Sequence, residues 1–273
     1  MTPKTGLATA PVAAVVTAIV SAATVLIVWR AAPGVVDAPG TGVSAGAAMG
    51  EKQVVEIVRN YLTEHPEILV EMTTELDKRQ QEEQSAQQEK AISSNADALF
   101  RSDKSFTAGN PDGDVTVVEF FDYNCGFCRR AVPDVLKLID NDDKVKVVFK
   151  ELPIFGEESE DAAKGALAAK KQGKYFEMHQ KLFTDSGKAN KEKVLRIANE
   201  IGLDVPQLEA DMESAEVQAA LDEARDLAQA LGLQGTPLYL IGDRTIPGAP
   251  DDLYDQLVEN VTVIREQGCK ASC

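Results

Sequence analysis

The sequence predicts an α/β fold in which a β-α-β half and a β-β-α half flank a helical insertion. An N-terminal membrane or signal segment and a helical arm precede it. Three observations carry that expectation. An almost unbroken apolar run, Val115–Phe121, leads into a helical stretch and then a second strand over 145–149. Residues from about 157 to 231 are helical in composition throughout. Strand-like segments return only at Leu238–Ile241 and Thr245-Ile246, ahead of a closing helix over 251–266.

Composition narrows the chemistry before any motif is read. A chain of 273 residues exceeds one average domain and leaves little room for three. Its 44 acidic and 28 basic side chains give a net charge of −16, which argues against nucleic acid, a partner that rewards clustered Lys and Arg. With only two histidines, His65 and His179, zinc sites and catalytic triads are poorly supplied. The four cysteines fall into two close pairs, Cys125/Cys128 and Cys269/Cys273, so sulfur chemistry is the expectation.

Residues 1–30 read as a signal-anchor or a cleaved signal peptide. Residues 7–29 are uncharged and approach the roughly 20 residues that a helix needs to cross a bilayer. Trp29-Arg30 at the end suits a membrane–water interface better than a cleavage site. Residues 31–50, rich in Gly, Ala and Pro, form a flexible linker.

The helical arm spans 51–104. Val54, Ile57, Val58, Tyr61 and Leu62 recur at helical spacing, and Ile68, Leu69, Met72 and Leu76 make a second stripe after His65-Pro66. Pro66 fits a first helical turn, where its missing N–H costs nothing, and His65 reads as a cap. Residues 77–90 are almost wholly polar without Gly or Pro, the pattern of a solvated helix. An arm this short encloses no core, so its stripes must bury against the following domain, a membrane or another copy of the arm. The absence of a sustained heptad leaves the number of copies open.

The domain over 105–273 begins near the turn cluster Gly109-Asn110-Pro111-Asp112-Gly113. Val115–Phe121 reads as a strand buried on both faces. Cys125-Gly126-Phe127-Cys128 then opens a helix inside a β-α-β unit, the context that makes a C-x-x-C motif specific. Helices follow over 160–171, 175–183, 191–201 and 215–231 within the insertion. With the returning strands, this is a thioredoxin fold with an inserted helical domain. A thiolate at the helix start and a resolving thiol one turn in suit disulfide exchange; a structural disulfide or a metal site are the alternatives.

The motifs Val118-Glu119-Phe120-Phe121-Asp122-Tyr123-Asn124-Cys125-Gly126-Phe127-Cys128-Arg129-Arg130, Gly235-Thr236-Pro237 and Ile246-Pro247-Gly248-Ala249 resemble the DsbA-like family of exported thiol–disulfide oxidoreductases. With its arm, the chain looks nearest to the ScsC-type and Com1-like branch, whose ScsC-type members oligomerise through such an arm. The resemblance implies roles for six residues. Cys125 is the exposed nucleophile and Cys128 the resolving thiol. Glu119 is the buried acid, and Lys150 its basic partner in proton transfer with Cys128. Thr236 and Pro237 form a cis-proline loop that faces the cysteines and pairs with an extended substrate; Thr there resembles the exported isomerases.

Gly126 and Phe127 lack the histidine found between the DsbA cysteines, which implies a milder oxidant. Arg129-Arg130 suggests a locally basic redox centre. Cys269 and Cys273, beyond Gly268, are expected to form a disulfide, with a redox relay or metal-binding pair as alternatives. His179, among Tyr175, Phe176, Met178, Leu182 and Phe183, reads as a packed or capping residue rather than a ligand.

The expected activity is formation or isomerisation of disulfides in protein substrates, without a cofactor, on the periplasmic side of an inner membrane or free in the periplasm. Its partners would be thiol-bearing proteins, a membrane redox protein and further copies through 51–104. The alternative is a copper-handling redox module of the ScsC type.

Overall fold

In the computed structural model, residues 50–269 are described; the predicted leader, the linker before Gly50 and Cys273 lie outside them. Among the described residues, no helix is long and apolar enough to cross a membrane. The chain divides into two units, residues 1–61 and 62–273.

The first unit ends within α1 (Glu51–Glu64), a helix with no buried residue. Val54, Ile57 and Val58, the stripe expected from its periodicity, are all exposed. In the second unit α2 (Glu67–Ser94) starts behind Pro66, and His65 Nδ1 lies 3.1 Å from Glu67 Oε1. Leu69, Met72 and Leu76 are exposed as well, and only Ile92 of this helix is buried.

A five-stranded sheet organises the rest, in the order β1-β3-β2-β4-β5. β2 (Val115–Phe121) and β3 (Val145–Glu151) run parallel at its centre, joined by α4 (Gly126–Asn141). β4 (Leu238–Ile241) pairs antiparallel with β2, and β5 (Arg244–Pro247) with β4. β1 (Phe106–Gly109) adds an antiparallel edge to β3 that periodicity did not disclose. Its last residue, Gly109, has φ of 74° and brings the chain against the Val145 carbonyl, where a Cβ would collide.

Between β3 and β4 lie α5 (Glu157–Lys171), α6 (Tyr175–Thr184), α7 (Lys191–Glu200), α8 (Val205–Met212) and α9 (Ala215–Ala230). Their starts are written in the sequence. Asn190, Asp204 and Ser214 each accept a hydrogen bond from a backbone N–H three residues on, as helix caps do. Gly165 lets α5 and α7 approach closely, since a Cβ there would run into the Val194 side chain. α10 (Leu253–Gln267) closes the fold, packing against α4 and the sheet.

The two sheet faces have separate cores. Val117, Phe121, Val147, Phe149 and Tyr239 face α4, the insertion and α10. Val118, Phe120, Val148 and Leu240 face the other way, onto Ile92, the short α3 (Ala96–Phe100) and the end of α9. Ile92, Ala96, Leu99 and Phe100, expected in the arm, therefore pack into this second core. Leu99 and Phe100 thereby cover a sheet face that would otherwise be open.

Candidate active site

Cys125 is the N-cap of α4. Its Sγ accepts the N–H of Cys128 at 3.4 Å and, as a thiol, donates to the Thr236 carbonyl at 3.3 Å. The Cys128 thiol, Thr236 and the N–H groups of Cys128 and Phe127 draw its pKa down to about 5, against the effect of burial. Cys128, one turn in, has no exposed surface, and burial pushes its pKa far up, with the neighbouring Cys125 adding to the effect. One helix start thus holds two thiols of opposite character, both free. Cys125 departs from expectation in one respect: only 3% of it is exposed, whereas Phe127 between the cysteines is 56% exposed.

The loop ahead of Cys125 is fixed by Asp122, a role the sequence did not single out. One of its carboxylate oxygens accepts from the Asn124 N–H at 2.7 Å and Ser159 Oγ at 2.8 Å; the other accepts from the Ile154 and Phe155 N–H groups. Asn124 fastens the same loop to Ala189 through both its carbonyl oxygen and its amide nitrogen. The available signal was a set of polar side chains breaking an apolar strand end just before a C-x-x-C.

Glu119 lies in β2 on the α4 side, buried, accepting a hydrogen bond from Tyr239 Oη at 3.1 Å. Burial raises its pKa to about 8, the Tyr239 bond opposing. Burial pushes the Tyr239 hydroxyl well above its usual range, with Glu119 and Cys128 adding to the effect.

Lys150 does not join this group. The register sets Glu119 beside Phe149 and Phe120 beside Lys150, so alternation places Lys150 on the opposite face from Glu119. There Lys150 Nζ donates to the Ala98 carbonyl at 2.6 Å and to Glu223 Oε1 at 2.8 Å, and Lys104 holds the other Glu223 oxygen. The expected Glu119–Lys150 pair is corrected accordingly: Lys150 ties β3 to α3 and α9. Its neighbour Glu151, unnoticed in the sequence, is buried on the active-site face and accepts from Tyr123 at 3.0 Å and Tyr175 at 2.7 Å. Burial pushes the Glu151 carboxyl well above the usual range. His179 joins through Tyr123, 3.1 Å from Nδ1, and burial lowers its pKa to about 3. It is packed, as expected, and burial keeps it neutral.

The basic centre expected from Arg129-Arg130 is diverted. Arg129 donates to the Phe183 and Asp185 carbonyls, and Arg130 donates to the Ala249 carbonyl and lies over the Phe127 ring. Thiolate stabilisation falls instead to hydrogen bonds at the α4 N-terminus. The Thr236-Pro237 bond is cis, as the motif implied. Beside it opens a groove of about 970 Å³, running from Phe127 past Thr236 and Pro237 to Gln84, Gln87 and Gln88 of α2. Cys269 is disulfide-bonded, while its expected partner Cys273 lies outside the described residues.

Residues 116–260 match the family model of the DSBA-like thioredoxin domain, and residues 51–83 that of the copper resistance protein ScsC N-terminal domain. A thioredoxin-like oxidoreductase from Silicibacter pomeroyi DSS-3 is 49% identical, with a TM-score of 0.61 over 63% of this chain and 98% of its own. Proteus mirabilis ScsC in a transitional conformation is 31% identical, with a TM-score of 0.60 over 80% of this chain and 97% of its own. The Na(+)/H(+) antiporter NhaA 1 of Mycobacterium sp. (strain KMS) is 31% identical over 149 residues, 52% of this chain and 24% of the antiporter. The chain thus spans about a quarter of the length of the curated relatives it matches.

Proposed function

The chain belongs to the DsbA-like thioredoxin family, and from that premise we propose that it is an exported thiol–disulfide oxidoreductase acting on protein substrates. The observation that carries the reading is the pairing at the start of α4 of a thiol with pKa about 5 and a thiol kept protonated by burial. The thiolate is the nucleophile in disulfide exchange, so Cys125 enters first.

In reduction or isomerisation, the Cys125 thiolate attacks one sulfur of a substrate disulfide. A mixed disulfide forms and the other substrate sulfur leaves as a thiolate. Cys128 then loses its proton and attacks Cys125 Sγ. The second substrate thiolate departs, leaving the Cys125–Cys128 disulfide and a substrate reduced by two electrons. Oxidation of a substrate dithiol is the reverse sequence. Isomerisation ends when a substrate thiol, rather than Cys128, resolves the mixed disulfide.

Glu119 takes the Cys128 proton in this scheme. A carboxyl with pKa about 8 gives up and regains a proton near neutrality, and Tyr239 holds it in place. Thr236 supplies backbone to the substrate: its carbonyl, engaged by the Cys125 thiol in the reduced enzyme, is released once Cys125 is in a mixed disulfide. Oxidising power is set by how far the nucleophile is acidified. A value near 5 lies between the roughly 7 of thioredoxin and roughly 3.5 of DsbA, which supports a milder oxidant.

Placement outside the cytoplasm rests on the uncharged run over 7–29, as anchor or cleaved signal. Self-association through 51–104 rests on the exposed Val54, Ile57 and Val58 and favours the isomerase mode, with a membrane protein as redox partner otherwise. The copper-handling reading draws on the ScsC N-terminal match. Its ligands for Cu(I) would be the soft sulfurs of Cys125 and Cys128, with no Met or His cluster beside them in the sequence.

The test is reactivation of a scrambled disulfide protein by the full chain and by Cys125→Ser. The variant should lose the activity by on the order of 10³-fold or more, as removal of a nucleophile does. Activity surviving in Cys125→Ser would refute the mechanism.

A further inference from the structure

The groove beside Cys125 has a second wall that the redox chemistry does not use. Gln84, Gln87 and Gln88 project from α2, at i, i+3 and i+4, and so share one face of that helix. The facing wall is Phe127 and the loop through Thr236 and Pro237 to Leu238. The sequence pattern suggested only a solvated helix here; one stripe of it lines the groove.

The chemistry of the lining identifies its occupant. In a chain that is 26% charged, with net charge −16, no residue lining this groove carries charge. A ligand recognised through its own charge would find no counter-charge there. Each glutamine amide instead offers both a donor and an acceptor, the complement of a peptide unit with its N–H and C=O. The apolar part comes from Phe127, Leu231, Leu233 and Leu238, so uncharged side chains are accommodated between the polar contacts. The groove runs up to Thr236, whose carbonyl lies 3.3 Å from Cys125 Sγ, so a chain lying in it delivers its own sulfur to the nucleophile.

We propose that Gln84, Gln87 and Gln88 form the outer wall of a client-binding groove that takes an extended, uncharged segment of unfolded polypeptide around the reacting cysteine. The arm helix is thereby a specificity element of the active site. This deepens the reading of the chain as a thiol–disulfide oxidoreductase and rests on it. Recognition through backbone amides accepts many sequences, as a catalyst acting on varied misfolded clients requires. Charged flanks, which would be desolvated in the groove without partners, are disfavoured.

The experiment compares two disulfide probes on the full reduced chain. The first is 4,4′-dithiodipyridine, too small to span the groove. The second is an uncharged ten-residue peptide whose single cysteine is joined to 2-thiopyridine. Cys125 attack on the peptide sulfur forms the protein–peptide disulfide and releases thiopyridone, which is read optically. In the triple variant Gln84→Ala/Gln87→Ala/Gln88→Ala the peptide rate should fall about ten-fold, the loss expected for one or two net hydrogen bonds. The dithiodipyridine rate should stay within about two-fold, since the variant leaves the thiolate untouched.

Gln87→Glu, which keeps the size and helix preference of the side chain, should discriminate against a peptide flanked by Asp more strongly than the wild type does. A peptide rate unchanged in the triple variant, or equal wild-type rates for uncharged and Asp-flanked peptides, would overturn the proposal. A wild-type chain no faster than Cys125→Ser with either probe would instead refute the oxidoreductase reading beneath it.

Discussion

Two stretches of this chain carry the same kind of apolar stripe and meet opposite fates. In α4, Cys128, Ala131, Val132, Val135 and Leu138 recur at helical spacing and are buried between the sheet and α10. In α1, Val54, Ile57 and Val58 recur just as regularly, and every residue of the helix is part or fully exposed. Periodicity specifies which face of a helix seeks cover; it does not specify that the cover is in the same chain. The α4 stripe finds its cover within its own domain, whereas among the described residues the α1 stripe stays exposed.

The contrast can be broken or sharpened by substitution. Leu99→Ala opens a void in the core that α3 shares with the sheet, and should destabilise the domain by about 2–5 kcal/mol in denaturant titration. A loss under about 0.5 kcal/mol would show that Leu99 contributes nothing to that core.

Glu119→Gln probes the active-site face. A carboxyl raised to about 8 stays protonated in the fold while it ionises in the unfolded chain above about 4.3. Wild-type stability is therefore penalised as pH rises from the unfolded value through 8, and the penalty levels off above it. Against the wild type, Glu119→Gln should gain stability across that window, by a few kcal/mol at most, and should slow turnover through Cys128. A stability difference independent of pH would show that Glu119 is ionised throughout.

Ile57→Asp should act least on the fold, within about 0.5 kcal/mol, because the side chain is already exposed. Its readout is the solution mass of the full chain, which should drop to that of a monomer. A monomeric wild type would remove the self-association reading, and with it the preference for isomerisation.

The parts of the fold legible in the sequence were those set by local pattern. Val115–Phe121 and Leu238–Ile241 read as strands because apolar runs of that length bounded by turns leave little else. Cys125 could be placed at a helix start because the motif, the preceding strand and the following amphipathic stretch agree. β1 escaped notice: four residues, one of them Gly109, are too few to show alternation. α8 was missed although Asp204 and Pro206 mark its start, because eight residues give barely two turns of stripe.

The site's remaining content depended on non-local facts. The family resemblance paired Lys150 with Glu119, and a register offset by one residue sends them to opposite faces. Its actual partner, Glu223, lies 73 residues further along, with no pattern linking the two. Glu151 read as an ordinary charged strand end; burial by other elements raises its pKa, and the hydrogen bonds from Tyr123 and Tyr175, which oppose that rise, come from residues far away in sequence.

The central claim is that the α4 N-terminus acidifies Cys125 and makes it the thiolate that begins disulfide exchange. The direct measurement is the pH dependence of Cys125 alkylation by iodoacetamide in the reduced full chain, with Cys128→Ser as a control for site assignment. The account predicts that the rate rises with a midpoint near 5 and is flat through neutrality. A midpoint near the 8.5 of an unperturbed thiol would contradict it, leaving a chain with the fold of an oxidoreductase but without its nucleophile.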